Sequence, residues 1–163
     1  MKTQLINIHD DLDEIKKIVE GAFSSTPDSS IGKWFSFKEM THQITSHRGV
    51  CIKAVSDDEK ILGIIYAQQE NPINGAEGLE KWVIVLTAVD STITGQGIGS
   101  ILLKEIEHQA LEKGAIKIFV YTNKNDANVI HFYKKNGYED AGWIKDYQYG
   151  KGNSATFLIK FLQ

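Results

Sequence analysis

The sequence predicts a mixed α/β (α+β) fold: a mostly antiparallel central sheet, flanked by helices, with one parallel β-α-β crossover in its middle. The first observation is the order of the hydrophobic patterns, which runs βααββ, then βαβ, then αββ along the chain. The second is the run Trp82–Val89, which is apolar at successive positions, as in a central strand covered on both faces. The third is the helical pattern between this run and the apolar run Ile116–Thr122, which is typical of a crossover between parallel strands.

The helices and strands follow from the spacing of apolar residues. The segment Asp11–Phe23 has helical spacing, with Asp11 and Glu14 as a capping box at its start. A second box of the same kind, at Ser36 and Glu39, opens the next helix. The other predicted strands are Leu5–Ile8, Val50–Val55, Ile61–Ala67, Trp143–Tyr149 and Thr156–Phe161, the other helices are Ile98–Ala110 and Asp126–Lys135, and the polar segments Ser24–Lys33 and Gln68–Gly78 are predicted loops.

Length and composition predict one domain over residues 1–163. The chain has 163 residues, of which 42 % are hydrophobic and 24 % charged, as in ordinary globular proteins. No run approaches the ~18 apolar residues of a membrane span, and the first residues lack the apolar core of a signal peptide. The single cysteine, Cys51, can form neither an internal disulfide nor a thiolate zinc cage. We therefore expect a cytoplasmic protein without a membrane partner.

The charge balance disfavours nucleic-acid binding. Eighteen Lys and Arg residues stand against 21 Asp and Glu residues, which gives a formal net charge of -3. Because Arg48 is the only arginine, bidentate contacts from arginine to phosphate are almost unavailable. A nucleic-acid partner is therefore not expected.

The most informative segment is Val89–Ser100, where alternating glycines join a buried strand to a helix. Gly95, Gly97 and Gly99 would let the backbone approach a ligand closely, because no Cβ stands in the way. The first amides of a helix lack partners within the helix and carry partial positive charge, so a phosphate group would satisfy both conditions. The same spacing also fits a tight strand-to-helix turn that binds nothing.

Two common phosphate-binding motifs are excluded at this turn. A P-loop ends in Gly-Lys-Ser/Thr, whereas Gly99 is followed directly by Ser100. A dinucleotide fingerprint needs Gly-x-Gly-x-x-Gly, and its third glycine would fall on Ser100 or Leu102. The turn is therefore of a different kind.

A second motif follows the next strand, where Asn125–Tyr138 reads Asn-Asp-Ala-Asn-Val-Ile-His-Phe-Tyr-Lys-Lys-Asn-Gly-Tyr. Together with the glycine turn, it resembles the GNAT superfamily of acetyl-CoA-dependent N-acetyltransferases. In that family an Arg/Gln-x-x-Gly-x-Gly/Ala turn holds the pyrophosphate of coenzyme A, and a later Asn-x-x-Ala-x-x-Phe/Leu-Tyr helix supplies the other wall. The matching motifs cover about Trp82–Tyr138, and the order of elements along the whole chain agrees with the family.

The resemblance implies a GNAT fold and an enzyme that uses acetyl-CoA as cosubstrate and needs no metal. The glycine turn would bind the pyrophosphate through its amides. The strand before it would pair its main chain with pantetheine, beside a diverging parallel neighbour, and Tyr133 matches a tyrosine that often lies near the thioester sulfur. The cofactor-binding residues implied in this way are Thr87, Ala88, Val89, Thr94, Gly95, Gln96, Gly97, Ile98, Gly99, Ser100, Asp126, Asn128 and Tyr133.

The sequence departs from the family pattern at four positions near these motifs. Thr94 stands where the family usually has Arg or Gln, and Ser91 replaces a common proline. Asp126 occupies the usual Asn position and Val129 the usual Ala position. Without an arginine to bind an exposed phosphate, coenzyme binding would be weaker by ~1 kcal/mol or more. The glycines of the turn are all kept.

Acetyl transfer to an amine needs two proton movements, for which the resemblance implies two catalytic residues. The amine must lose a proton to a carboxylate, a histidine or a water chain. Family members often carry a glutamate on the strand that corresponds to Trp82–Val89, but here the strand has no acid between its ends. Glu80, just before the strand, is the candidate, and Asp90, just after it, has the other interpretation of a solvated charge at the strand end. Tyr133 would protonate the departing thiolate, at a cost of ~2 kcal/mol from reference pKa values. Its other interpretation is a packed residue on the face of a short helix.

Aromatic and acidic residues lie in two segments that usually border the acceptor site in the family. They would suit an amine or cationic acceptor, either a small molecule or a protein amino group. Core contacts and solvated loop charges are the other interpretation of the same residues. They are Trp34, Phe35 and Phe37 in the first segment and Glu70, Glu77 and Glu80 in the second.

Three functions therefore remain to be distinguished. The first is an acetyltransferase that acts on a primary amine through a ternary complex. The second is a catalytically silent GNAT-like module that binds acyl-CoA for regulation or protein interaction, which the residue at Thr94 and the missing strand carboxylate favour. The third, a nucleotide-binding regulatory domain, would be stabilised by ATP or NAD instead of acetyl-CoA. Dimers are common in the family, and the resemblance leaves open whether this chain forms a homodimer.

Overall fold

The computed structural model describes residues 1–24, 35–70, 80–93, 95–148 and 151–163. The predicted loops Ser24–Lys33 and Gln68–Gly78 lie mostly outside these residues. None of the helices in the described part is long and apolar enough to cross a membrane. The elements are β1 (Lys2–Leu5), α1 (Ile8–Phe23), α2 (Phe37–Thr45), β2 (Gly49–Val55), β3 (Ile61–Gln69), β4 (Lys81–Val89), α3 (Ile98–Glu112), β5 (Lys117–Asn123), α4 (Ala127–Lys135), β6 (Glu139–Ile144) and β7 (Ala155–Phe161).

The strands form a seven-stranded sheet in the order β1-β2-β3-β4-β5-β7-β6. β4 and β5 pair in parallel, from Lys81 opposite Lys117 to Ile84 opposite Val120. The pairs β1–β2, β2–β3, β5–β7 and β6–β7 are antiparallel. The helix α3 connects the parallel pair, as a crossover requires. The structure thus confirms the mixed, mostly antiparallel sheet with a parallel crossover in its middle.

By their contacts, the residues form two compact units. The first unit combines Met1–Gln68 with Val85–Ala110, and the second combines Gln69–Ile84 with Leu111–Gln163. Whether residues 1–163 act as one domain stays a prediction. The core of the first unit lies where α1 and α2 cover β2, β3 and the end of β4. Its buried members include Ile15, Val19, Met40, Cys51, Ile64, Tyr66, Leu86 and Ala88.

The beginning of the chain differs from the prediction. The strand expected at Leu5–Ile8 lies earlier, and α1 begins within that range because the Asn7 side chain caps its first turn. The capping box predicted at Asp11 and Glu14 is therefore wrong. Asp11 lies inside the helix, where its carboxylate accepts a hydrogen bond from the Asn7 amide at 2.7 Å and pairs with Lys53 Nζ at 2.8 Å. Asp11 thus links the start of α1 to β2.

The second predicted capping box is half formed. Ser36 Oγ accepts a hydrogen bond from the Glu39 amide at 3.2 Å, so Ser36 is the N-cap of α2 as predicted. The Glu39 carboxylate accepts instead from Gln43 Nε2, one turn further along the helix, at 2.7 Å. The helix ends at Thr45, and β2 begins at Gly49.

The first strand of the last hairpin also differs from the prediction. The pattern placed it at Trp143–Tyr149, whereas β6 begins at Glu139 and ends at Ile144. Every residue of β6 is exposed, because the strand lies at the edge of the sheet. A strand without a buried face carries no alternating pattern to predict its bounds. The register also shifts next to Gly142, where φ is 112°.

Candidate active site

The glycine turn belongs to the first unit and joins β4 to α3. β4 ends at Val89, a short 3-10 turn covers Ser91–Ile93, and α3 begins at Ile98. Gly95 and Gly97 have φ values of 83° and 79°. These values lie in the left-handed region, where an L side chain costs about 1–2 kcal/mol. The path of the chain therefore favours glycine at both positions.

Asp90 shapes the entrance to this turn. Its Oδ1 accepts hydrogen bonds from the Thr92 amide at 2.9 Å and from Thr92 Oγ1 at 2.7 Å. Lys60 Nζ lies 3.6 Å from Oδ2. The bonds from Thr92, with Lys60 nearby, hold the pKa of Asp90 below its usual value. Asp90 thus has a local structural role, which the sequence pattern did not indicate.

The first main-chain amides of α3 lack hydrogen-bond partners within the helix. Gly97 directly precedes the first residue of the helix and has no side chain that could cap it. The Ile101 amide donates to the Gly97 carbonyl at 3.1 Å, so the three amides before it precede the helical hydrogen-bond ladder. No described atom lies within 4 Å of the point where a Cβ on Gly95 or Gly97 would be. The turn therefore has the donors, the dipole and the open face that suit a phosphate group.

The end of β4 has one buried face and one partly covered face. Leu86 and Ala88 are buried, whereas Thr87 and Val89 are half-buried. The strand is thus covered on both faces, as predicted, but its odd-numbered residues are covered only in part. The described register with β5 ends at Ile84, five residues before β4 itself ends. The main-chain groups of β4 after Ile84 therefore do not take part in the parallel pairing with β5.

Gly63 of β3 supports the end of β4 from its other side. A Cβ at Gly63 would lie 2.9 Å from the Ala88 carbonyl oxygen and 3.2 Å from Val89 Cα. Real Cβ atoms do not approach backbone this closely, so only glycine allows β3 to lie against β4 here. The position of Ala88 and Val89 thus depends on Gly63.

Replacing Gly63 by alanine is expected to lower the free energy of unfolding by about 1–3 kcal/mol, as overpacking does. It should also weaken acetyl-CoA binding, because the end of β4 must move. Gly21→Ala is the matched control, because Gly21 lies in α1 with no described atom within 4 Å of its Cβ position. The free energy of unfolding of this variant should rise by up to about 1 kcal/mol. Urea unfolding of both variants tests this, and equal stabilities would contradict it.

In the second unit, Tyr133 lies on α4 with 3 % of its surface exposed. Its ring centroid is 5.0 Å from that of Phe132 and 5.2 Å from that of Tyr138, with edge-to-face geometry. The ring thus belongs to the packed face of the helix, which was one of the two interpretations. Its role in proton transfer stays a prediction.

Asp126 and Asn128 lie at the start of α4. Asp126 is its N-cap, and its Oδ1 accepts a hydrogen bond from the Val129 amide at 3.1 Å. Asn128 is exposed in the first turn. Asp126 therefore has a structural role beside the cofactor contact that the resemblance implies, and that contact stays a prediction.

Two substitutions separate capping by Asp126 from its charge. Asp126→Ala is expected to lower the free energy of unfolding by about 1 kcal/mol, because alanine cannot accept the bond from the Val129 amide. Asp126→Asn should keep most of the stability, because asparagine caps as well as aspartate. Thermal unfolding of the two variants measures the difference. If both variants lose the same stability, the cap is not what Asp126 contributes.

The remaining candidate acids and aromatic residues are spread over the chain. Glu80 is exposed and lies directly before β4, so the nine residues of that strand separate it from the glycine turn. Glu70 pairs with Lys81 Nζ at 2.7 Å. Phe35 and Phe37 contact each other in the first unit, with ring centroids 5.1 Å apart. Thr94, Trp34 and Glu77 lie outside the described residues.

The sheet, its crossover and the glycine turn are those of an acetyltransferase fold. The model of the acetyltransferase (GNAT) family matches residues 12–138 of the chain. This stretch is well over half of the sequence and contains both motifs. The chain belongs to the GNAT family.

Solved N-acetyltransferase structures are similar over the whole chain. The ribosomal-protein-alanine N-acetyltransferase from Brucella melitensis has a TM-score of 0.79 at 20 % identity and covers 99 % of this chain and 100 % of its own. An aminoglycoside 6'-N-acetyltransferase complexed with coenzyme A has a TM-score of 0.76 at 17 % identity, with coverage of 100 % and 98 %. At these identities the likeness shows the fold. The protein YdhI of Bacillus subtilis, called uncharacterized, is 36 % identical over 56 residues, which span 34 % of this chain and about a third (35 %) of that relative.

Proposed function

We propose that the protein transfers an acetyl group from acetyl-CoA to a primary amine, with both substrates bound at once. The open glycine turn at the start of α3 carries this proposal. Gly95 and Gly97 have left-handed backbone conformations directly before the first amides of the helix, and no described atom lies within 4 Å of their Cβ positions. A diphosphate would accept hydrogen bonds from these amides and would lie at the positive end of the helix dipole.

The end of β4 would hold the pantetheine arm. In the proposal, main-chain groups of Thr87, Ala88 and Val89 pair with its amides, in the manner of a strand added to a sheet edge. The parallel register that ends at Ile84 supports this, because it leaves that length of β4 outside the pairing with β5. The half-buried side chains on the same strand would exclude water from the arm.

Two residues would move the protons. A lysine-like amine has a pKa of about 10.4, so its neutral form costs about 4–5 kcal/mol near pH 7. Glu80, exposed before β4, is proposed to accept the amine proton through water. Tyr133 is proposed to donate its phenolic proton to the sulfur as the carbon–sulfur bond breaks and the amide bond forms.

The acceptor would be a small-molecule amine or a protein amino group. The solved neighbours named above act, by their names, on aminoglycosides and on a ribosomal-protein alanine. A positive charge on such acceptors would suit the exposed carboxylates and aromatic rings of this chain. These neighbours share the fold alone and do not select one acceptor class for this protein.

A catalytically silent module that binds acyl-CoA is the second candidate. The packed environment of Tyr133, which is 3 % exposed, favours it, because a buried hydroxyl has little access to a substrate. The absence of an acid within β4 favours it as well. Both candidates require the glycine turn to bind coenzyme A, so they differ only in turnover.

Ligand-dependent thermal stability, followed by thiol release, tests the proposal. Acetyl-CoA at 100 times its dissociation constant should stabilise the protein by about 2.7 kcal/mol, whereas ATP and NAD should not. A panel of primary amines should then release free thiol from acetyl-CoA. Stabilisation without thiol release from any amine would support the silent module, and stabilisation by ATP or NAD alone would contradict both candidates.

A further inference from the structure

A buried hydrogen-bond acceptor on α2 has no partner among the described residues. Gln43 is 5 % exposed, and its Oε1 makes no hydrogen bond. Its Nε2 donates to Glu39 Oε1 at 2.7 Å, which fixes the amide orientation because a carboxylate only accepts. A buried acceptor left without a donor is unfavourable, so this position favours a donor that the described residues do not supply.

The groups around Gln43 form a set of polar side chains, which we call the α2 polar cluster: Glu39, Gln43, Tyr66 and Gln68. The Tyr66 hydroxyl donates to Gln68 Oε1 at 2.5 Å, so its own lone pairs remain as acceptors. Gln43 and Tyr66 both lie next to Gly49. A Cβ on Gly49 would be 3.1 Å from Gln43 Cβ and 3.2 Å from the Tyr66 hydroxyl. The cluster runs from exposed Glu39 to buried Gln43.

The electrostatics of the cluster select a cation. Glu39 brings one negative charge. Burial raises the pKa of Tyr66 well above its usual value, and the neighbouring Cys51 thiol and Glu39 carboxylate raise it further. No cation among the described residues lowers that pKa. A protonated amine would supply both the missing donor for Gln43 and the missing positive charge for Glu39.

One member of the cluster, Tyr66, shares its buried core with the part of β4 assigned to the acetyl donor. Tyr66 packs in the same buried core as Leu86 and Ala88. Its ring lies 6.2 Å from that of Phe35, which forms an apolar wall next to the polar groups. An acceptor held here would have its charged end on the cluster and its carbon chain along aromatic surface.

We propose that the α2 polar cluster binds a second, protonated amino group of the acceptor, so that the preferred acceptors are diamines and polyamines. This inference rests on the proposed acetyl transfer for its role in catalysis. The amine held by Glu39 and Gln43 stays charged, while another amine of the same molecule is acetylated in its neutral form. Glu39 and Gln43 are then specificity-determining residues.

Calorimetry with two amines of equal chain length tests this inference. 1,4-Diaminobutane and n-butylamine are titrated into the protein saturated with coenzyme A. The diamine is expected to bind at least about tenfold tighter, and Glu39→Gln should remove about that factor. Glu105→Gln is the matched control, because Glu105 Oε1 also accepts from the glutamine one turn on, at 3.1 Å, and it should leave diamine binding unchanged.

A second variant distinguishes ligand binding from a structural role. Gln43→Met keeps the size of the side chain, and we expect it to lose the preference for the diamine without a fall in melting temperature. If wild type shows no preference, or Glu39→Gln and Glu105→Gln behave alike, the inference is wrong. Thiol release without diamine preference would leave acetyl transfer intact and overturn the subsite. Diamine preference without thiol release would keep the subsite and overturn the transfer.

Discussion

Replacing Gly97 by alanine is expected to weaken acetyl-CoA binding by about 10- to 100-fold. Gly97 has a φ of 79°, which an alanine can keep only under strain. If the chain relaxes, the amides at the start of α3 turn away from the diphosphate; if it does not, the new methyl group lies on the open face of the turn. Either change costs a charge-assisted hydrogen bond of about 1.5–3 kcal/mol. Calorimetric titration with acetyl-CoA measures the loss.

Gly114→Ala is the matched control for this prediction. Gly114 follows the other end of α3, has a φ of 87°, and has no described atom within 4 Å of its Cβ position. Both variants should therefore lose similar stability, about 1–2 kcal/mol. Only Gly97→Ala should lose affinity for acetyl-CoA. Equal affinities in the two variants would remove the glycine turn from the binding site.

Tyr133→Phe is expected to lower kcat by about 100-fold, the low end of what a general acid contributes. The ring would keep its edge-to-face contacts with Phe132 and Tyr138, so stability and acetyl-CoA affinity should change little. A loss in kcat with unchanged affinity is typical of an interaction made only in the transition state. Steady-state kinetics with a fixed amine acceptor separate the two parameters.

Tyr138→Phe controls for a general effect on the aromatic cluster. Tyr138 is also 3 % exposed and packs on Tyr133, so it loses a hydroxyl from the same surroundings. Its turnover should stay near that of the wild type. If Tyr133→Phe keeps full turnover, Tyr133 is a packing residue and the proton reaches the sulfur from elsewhere.

Patterns with a buried face predicted the fold most closely. The β2–β3 hairpin and α3 lie within a few residues of their predicted bounds, because their apolar residues are buried in the core. The errors fall where burial does not decide the bounds. β6 is exposed along its whole length, and the start of α1 depends on the Asn7 cap instead of on an apolar residue.

The candidate site was only partly predictable for a related reason. Local main-chain requirements appear in the sequence, so Gly95 and Gly97 are recognisable from spacing alone. Contacts between distant segments do not appear in the sequence. Gly63 matters because an atom of β4 lies 2.9 Å from its Cβ position, and Gln43 matters because it lies next to Tyr66 and Glu39. A lone glycine inside a strand pattern was the one indication of close approach at Gly63. Nothing in the spacing indicated the α2 polar cluster.

Amide NMR of the glycine turn tests the central claim most directly. The protein labelled with nitrogen-15 is titrated with acetyl-CoA, and the backbone resonances of Gly95–Ser100 are followed. We expect them to shift progressively and to saturate at the same concentration as the calorimetric binding curve, because hydrogen bonds to a diphosphate change the environment of each amide. Saturable acetyl-CoA binding with these resonances unmoved would contradict the proposed role of the turn.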